Sequence, residues 1–171
     1  MNRKLVLIFS AFFSYFVFGF SDNLKGPLIP EILSFFSVSY SVGSNILLLS
    51  YLAFMIATMI MGPLSDREDN RVLLIIAGVL LALGLSGSAI AQIHQFIYLS
   101  YFILGLGLGS VAIVANAIIV DRYPTKNGFY LNLLSFFHSL GAMTAPIFAG
   151  KLISSGVPWP KIYLFTLILP G

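Results

Sequence analysis

Between residues 62 and 71 the chain reads Gly62-Pro63-Leu64-Ser65-Asp66-Arg67-Glu68-Asp69-Asn70-Arg71. Five charged side chains stand in this short stretch, although charged residues make up only 9% of the whole chain. On either side lie apolar runs free of charge, from about Gly43 to Met61 and from Val72 to Ala91. A helix needs about 20 apolar residues to cross roughly 30 Å of hydrocarbon, so each run has the length of one crossing. The charged segment is then a short watery connection between two membrane helices.

Composition extends that reading to the whole chain. Of 171 residues, 58% are hydrophobic and 15% aromatic, and the mean hydropathy is +0.98. A soluble domain wets its surface with about a quarter charged residues, so a soluble globular fold is excluded. Apolar spans are expected at about 5–32, 43–62, 72–92, 96–120 and 128–152, with a sixth beginning near 161 and reaching the last residue, 171. The predicted fold is an all-α, multi-pass membrane protein held in the lipid bilayer. The sixth span has about 10 residues, too short to cross, and is expected to be incomplete.

Several function classes fall away at this point. The chain has no Cys and two widely separated His residues, His94 and His138. It therefore offers no thiolate, no clustered nucleophile and base, and no ligand set for a metal. No enzyme activity, cofactor or metal is expected, and no basic, aromatic patch points to nucleic acid. A cleaved leader would account for the first span alone, and no small-residue cleavage site follows it.

Lys and Arg mark the orientation. Arg3 and Lys4 precede the first span, Arg67 and Arg71 join the second to the third, and Arg122 and Lys126 join the fourth to the fifth. The other side carries Lys151 and Lys161, with Lys25 near the end of the first span. The basic side faces the cytoplasm, which places the N-terminus inside a plasma, or inner, membrane. A shift of about 88 residues lays Gly19 on Gly107, Gly62-Pro-Leu on Gly150-Lys-Leu and the third span on the sixth. Three spans is an odd number, so the second copy is inverted, and inverted three-helix repeats recur in transporters. The same spacing would end the sixth helix near position 180, about nine residues beyond the chain.

In the connecting segment, Asp66 with Arg67 and Arg71 has the makings of a charge-paired latch between helix ends, the alternative being a solvated basic loop. Gly62 is expected to let backbones approach closely where the helix leaves the membrane. The order Gly62-x-Leu64-x-Asp66-Arg67, with Arg71 four positions on, resembles the loop between helices two and three of the major facilitator superfamily. Asp69 departs from that pattern, which usually has Gly there. Asn116, Asp121-Arg122, Pro124 and Gly128 are similar to the end of helix four and the loop after it, and Pro27-x-x-Pro30 to the outer end of helix one. The resemblance covers essentially the entire chain.

This resemblance implies a secondary transporter working by alternating access, usually coupled to protons, of which the chain is the N-terminal six-helix bundle. It gives Asp66 a gating role with Arg67 and Arg71 as charge partners. It also implies a C-terminal half, or a second copy forming a homodimer, to complete the cavity. On helix five, Gly141, Ala145, Pro146, Ala149 and Gly150 resemble the Gly-x-x-x-Gly-Pro-x-x-Gly-Gly motif of drug–proton antiporters, with alanines at two glycine positions. The stretch Tyr130 to Gly141 resembles instead the fucose/hexose–proton symporter branch. That branch carries an acidic residue on helix four near the position of Ala112, where this chain has none. These likenesses put a sugar cargo ahead of a drug–proton exchange, and a non-transporting remnant is the further alternative because half a cavity cannot alternate by itself.

Polar residues within the spans are the site candidates, since lipid makes them costly. Asp22 and Lys25 are three apart and able to pair on one face. Asp22 either binds a proton or solute from the outer half of a cavity, or forms an interfacial pair with Lys25 snorkelling outward. His138, mid-span, is the second proton candidate, its alternative being a hydrogen-bonded packing residue. Asn23, Tyr51, Asn116 and Asn132 are the candidate contacts to a small-molecule substrate, with Asn45 beside them. Interhelical hydrogen bonding is the competing role for these groups.

Overall fold

In the computed structural model, residues 3–167 are described, with side chains from Leu5 onward. Residues 168–171, the end of the expected sixth span, lie outside the described residues. The order is α1 (Arg3–Phe36), α2 (Tyr40–Ser65), α3 (Asn70–Ile90), α4 (His94–Arg122), α5 (Asn127–Ser154) and α6 (Trp159–Leu167). The first five are long and apolar enough to cross a membrane. Backbone groups have no water to bond in hydrocarbon, so helices that satisfy themselves are the natural outcome. α4 begins at His94, two residues before the expected start of the fourth span.

The turns show why each helix stops. At the end of α1, Ser37 adopts φ 51°. The Val38 N–H reaches the Leu33 carbonyl and the Ser37 N–H that of Ser34, the paired bonds of a Schellman cap. α5 ends the same way, with Gly156 at φ 77° and the Val157 and Gly156 N–H groups bonded to the Leu152 and Ile153 carbonyls. At the charged connection, Asp69 caps α3 by accepting the Arg71 backbone N–H at 2.9 Å. Asp69, where the resembled loop pattern has Gly, therefore has a local role, satisfying a free helix-end donor.

Packing follows an internal symmetry. α1 packs along α5 as α4 packs along α2, while α3 lies on α4 and α6 on α3. Exchanging α1–α3 for α4–α6 carries the first two contacts into each other, which is the inverted repeat in physical form. The close approaches correspond as well. A Cβ on Gly19 would overlap the His138 carbonyl oxygen, and one on Gly141 would overlap that of Phe16. Across the other crossing, Gly105 lies against the Ser50 carbonyl and Gly109 against that of Phe54. The repeat offset maps His138 onto Ser50 and Gly19 onto Gly107, two residues from the glycine that makes the contact. In lipid, where apolar burial gives no preference for helix over tail, such small-residue seams allow the contact that holds helices together.

α4 is the central element. Leu104, Leu108, Val111, Val114, Ala115, Ile118 and Ile119 are all buried, and Tyr101 is fully buried with its hydroxyl bonded to that of Tyr163 on α6. Phe9, Met59, Ile75 and Ile147 are among the large exposed side chains. An apolar exterior around helices that cross at small residues is the arrangement that lipid favours and water does not.

Candidate functional site

The end of the bundle carrying the 66–69 and 123–126 turns is termed the basic end, and the opposite end the far end. α1 and α5 run away from the basic end and α2 and α4 run toward it. That direction brings one residue set from each helix to a common seam, starting at the far end with Lys25.

Lys25 is only 3% exposed. Its Nζ donates to Asp22 Oδ1 at 2.8 Å and to Ser50 Oγ on α2 at 2.8 Å, and it stands 5.1 Å from the centroid of the Tyr51 ring. Two of the ammonium donors are thus engaged, and the charge also lies over an aromatic face. The Asp22 side chain remains 26% exposed, so it is the reachable member of the pair. Of the two readings of this pair, outward snorkelling is overturned. Lys25 points into the bundle because an anion, a hydroxyl and an aromatic face await it there.

Nearer the middle, Phe18 stacks on Phe54 of α2 with centroids 6.0 Å apart. The His138 ring of α5 meets Phe18 edge-on at 4.6 Å and Tyr15 at 6.2 Å. His138 is half-buried and makes no side-chain hydrogen bond among the described residues, so its alternative as a hydrogen-bonded packing residue is replaced by an aromatic contact. Toward the basic end, Asn116 of α4 donates from Nδ2 to Tyr15 Oη at 2.6 Å and to the Ala112 carbonyl at 2.7 Å. Tyr15 in turn donates to that same carbonyl at 3.1 Å. Among the described residues the Asn116 side-chain oxygen accepts no hydrogen bond.

The structure therefore joins Asp22, Tyr51, His138 and Asn116 into one seam and leaves two other candidates outside it. Asn23 turns back on its own helix, donating to the Gly19 carbonyl at 2.9 Å. Asn132 is exposed, like Asn45, and neither makes a side-chain hydrogen bond among the described residues. Lys25, Tyr15, Ser50, Phe18 and Phe54 belong to the seam but are not singled out by the sequence as site residues. Lys25 alone carried a signal, its spacing from Asp22. Phe and Ser are too common in membrane helices to stand out. A groove of 530 Å³ between α1 and α3, lined in part by Val6, Phe13, Arg71 and Ile75, shares no residue with the seam.

The charged connection differs from expectation in two ways. No ion pair joins Asp66 to Arg67 or Arg71; among the described residues the pair is Lys25–Asp22. Asp66 and Arg67 are exposed at the end of α2, where water screens an ion pair to little value. The link across this end is instead a hydrogen bond from Asn70 Nδ2 to Asp121 Oδ2 of α4, at 3.2 Å. The second correction concerns close approach: a Cβ at Gly62 would meet nothing within 4 Å. On helix five, Gly141, Ala145 and Ala149 are buried, but Pro146 is exposed and Gly150 likewise faces open space. The packing seam thus ends at Ala149.

Comparison with known proteins matches this architecture. The chain is 27% identical over 162 residues to the L-fucose-proton symporter of Escherichia coli (strain K12), covering 92% of this chain and 37% of that protein. It is 25% identical over 145 residues to a glucose/galactose transporter of Brucella abortus biovar 1 (strain 9-941), covering 82% of this chain and 35% of the relative. The chain thus spans little more than a third of the length of these relatives. Its fold is that of the xylose transporter XylE from E. coli in an inward-open conformation, with a TM-score of 0.75 at 16% identity over 98% of this chain and 46% of that one. The family model described as Major Facilitator Superfamily matches residues 11–170. With that match running through all six helices and the repeat visible in their pairing, the chain belongs to the major facilitator superfamily.

Proposed function

We propose that this chain supplies the N-terminal bundle of a secondary transporter that moves a small hydroxylated solute, a sugar or sugar derivative, by alternating access coupled to protons. The observation that carries this reading is the seam running through α1, α2, α4 and α5. Aromatic faces at Phe18, Phe54 and Tyr51 suit the C–H faces of a sugar ring, and the free oxygen of Asn116 suits its hydroxyls. Asp22 and His138 are the groups that take up a proton. Pockets for polar solutes pair such aromatic walls with a few placed polar groups. Asn23 and Asn132 are assigned solute contact only in another conformation. The similarity to sugar-transporting relatives supports the same substrate class.

The 62–71 connection serves as the gate in this proposal. Asp66, Arg67 and Arg71 pair when the basic end closes against the second bundle, and the present structure has them apart. That bundle comes from a C-terminal half or from a second copy of the chain. The N-terminus lies in the cytoplasm and the protein resides in the plasma, or inner, membrane.

The test is uptake by right-side-out vesicles bearing the native gene product, with labelled sugars, sugar acids and polyols under an imposed inside-alkaline gradient. Saturable uptake of at least one solute, lost on adding a protonophore, is the expected result. A panel in which nothing accumulates above control vesicles overturns the proposal.

A further inference from the structure

Lys25 is the one charged side chain classed as buried among the described residues. It is an ammonium fixed inside a membrane protein, and such a charge persists only when paired. Among the described residues its one charged partner is Asp22, at 2.8 Å. Ser50 and the Tyr51 ring also hold it, but both are neutral and cannot replace the carboxylate. The pair sums to zero charge, with the anion on the accessible side and the cation behind it.

This has a consequence for any proton that arrives at Asp22. Protonation would leave Lys25 with hydrogen-bond partners but no counter-charge. A neutral sugar arriving with that proton would not repair the deficit. A solute carboxylate would, since it offers Lys25 a charged oxygen in place of the Asp22 Oδ1 that it loses. We propose that the solute is a hydroxylated acid of the sugar-acid class, whose carboxylate replaces Asp22 as the counter-ion of Lys25 while Asp22 takes up the accompanying proton. This rests on the reading of the seam as the transport site.

The step balances in charge and protons. Water on the entry side gives one proton to an Asp22 carboxylate oxygen, and the Lys25–Asp22 hydrogen bond breaks. The solute carboxylate then accepts from Lys25. On the exit side the solute leaves, Asp22 returns its proton to water, and the original pair re-forms. One proton and one carboxylate cross together, without net charge. The remaining hydroxyls and ring lie toward Tyr51, Phe18, Phe54 and Asn116.

Other ionisable groups around the pair are few. From α2 the facing group is Tyr51. From α5 it is His138, against Phe18 one turn nearer the basic end. Tyr101 of α4 and Tyr163 of α6 are tied to each other. Tyr15, on α1 itself, is engaged by Asn116. None of these supplies an anion to Lys25 in the neutral range.

The experiment compares labelled D-galacturonate and D-glucuronate with D-galactose and D-glucose in vesicles bearing the native gene product. The pH gradient is imposed with the membrane potential clamped at several values. The uronates should accumulate with the pH gradient, at an initial rate that does not vary with potential. Lys25→Met should lower that rate at least about tenfold, as expected when a bound carboxylate loses its charge partner. Asp22→Asn, which mimics the protonated carboxyl and leaves Lys25 in place, should retain uronate exchange but lose its acceleration by external acid. If Lys25→Met fails to fold, the pH profile of Asp22→Asn decides, and a profile unchanged from the parent overturns the inference. Uptake of the neutral sugars with the uronates excluded overturns this inference and leaves the transport reading standing. No uptake of any of the four overturns this inference, and the wider panel of sugars, sugar acids and polyols then decides the transport reading.

Discussion

The backbone of Gly19 on α1 lies directly against the carbonyl of His138 on α5, with no room for a Cβ between them. Gly141 makes the reciprocal contact with the Phe16 carbonyl. This double approach fixes how deeply α1 and α5 interlock, and it sets the His138 ring beside Phe18 and Tyr15. Gly19→Ala or Gly141→Ala should therefore lower stability by about 1–3 kcal/mol, the usual cost of overpacking. Gly62→Ala and Gly150→Ala, at open positions, should instead be neutral or gain up to about 1 kcal/mol from helix propensity. Thermal unfolding of the four variants in one detergent separates the two groups. Equal losses at all four positions would contradict the packing described.

Tyr15 and Asn116 join α1 to α4 through a hydrogen bond of 2.6 Å. Polar bonds between membrane helices average about 0.6 kcal/mol and reach roughly 1.7. Tyr15→Phe and Asn116→Leu should each cost an amount of that order, and their effects should not add. A double-mutant cycle with strictly additive losses would remove this bond from the account.

Asp69 stands where the family pattern usually has Gly, and its carboxylate caps α3. Replacing a capping Asp by Ala costs about 1 kcal/mol, whereas Asn caps as well. Asp69→Ala should thus lower the unfolding midpoint while Asp69→Asn leaves it nearly unchanged. Hydrogen exchange at the Arg71 amide should rise in the first variant only.

The α1 cap places a side-chain-bearing residue, Ser37, at φ 51°. Left-handed backbone costs such residues about 1–2 kcal/mol, and Gly escapes this penalty. Ser37→Gly should stabilise the protein by up to about 1 kcal/mol. Gly156→Ala, which imposes the same strain on the cap of α5 at φ 77°, should destabilise it by a similar amount. Opposite shifts in unfolding temperature are the outcome to look for.

The fold was legible because lipid reduces the choices open to a chain. Apolar runs of crossing length become helices, and charge clusters such as Asp66 to Arg71 must fall between them, since backbone and charge alike need satisfaction in hydrocarbon. The order of spans also carried the inverted repeat, which the matching contacts of Gly19 with His138 and Gly105 with Ser50 then expressed in three dimensions.

Which polar residues face one another depended on helix rotation, and hydropathy in an almost uniformly apolar chain says little about rotation. Asn23 and Asn116 look equivalent along the sequence. Yet Asn23 bonds its own helix at Gly19, and Asn116 reaches Tyr15 a hundred residues away. The fate of Lys25 was decided in the same way. Three residues from Asp22 it was free to snorkel to water or turn inward. Only the packing of α2, which brings Ser50 and Tyr51 against it, made the interior the lower-energy place for its charge.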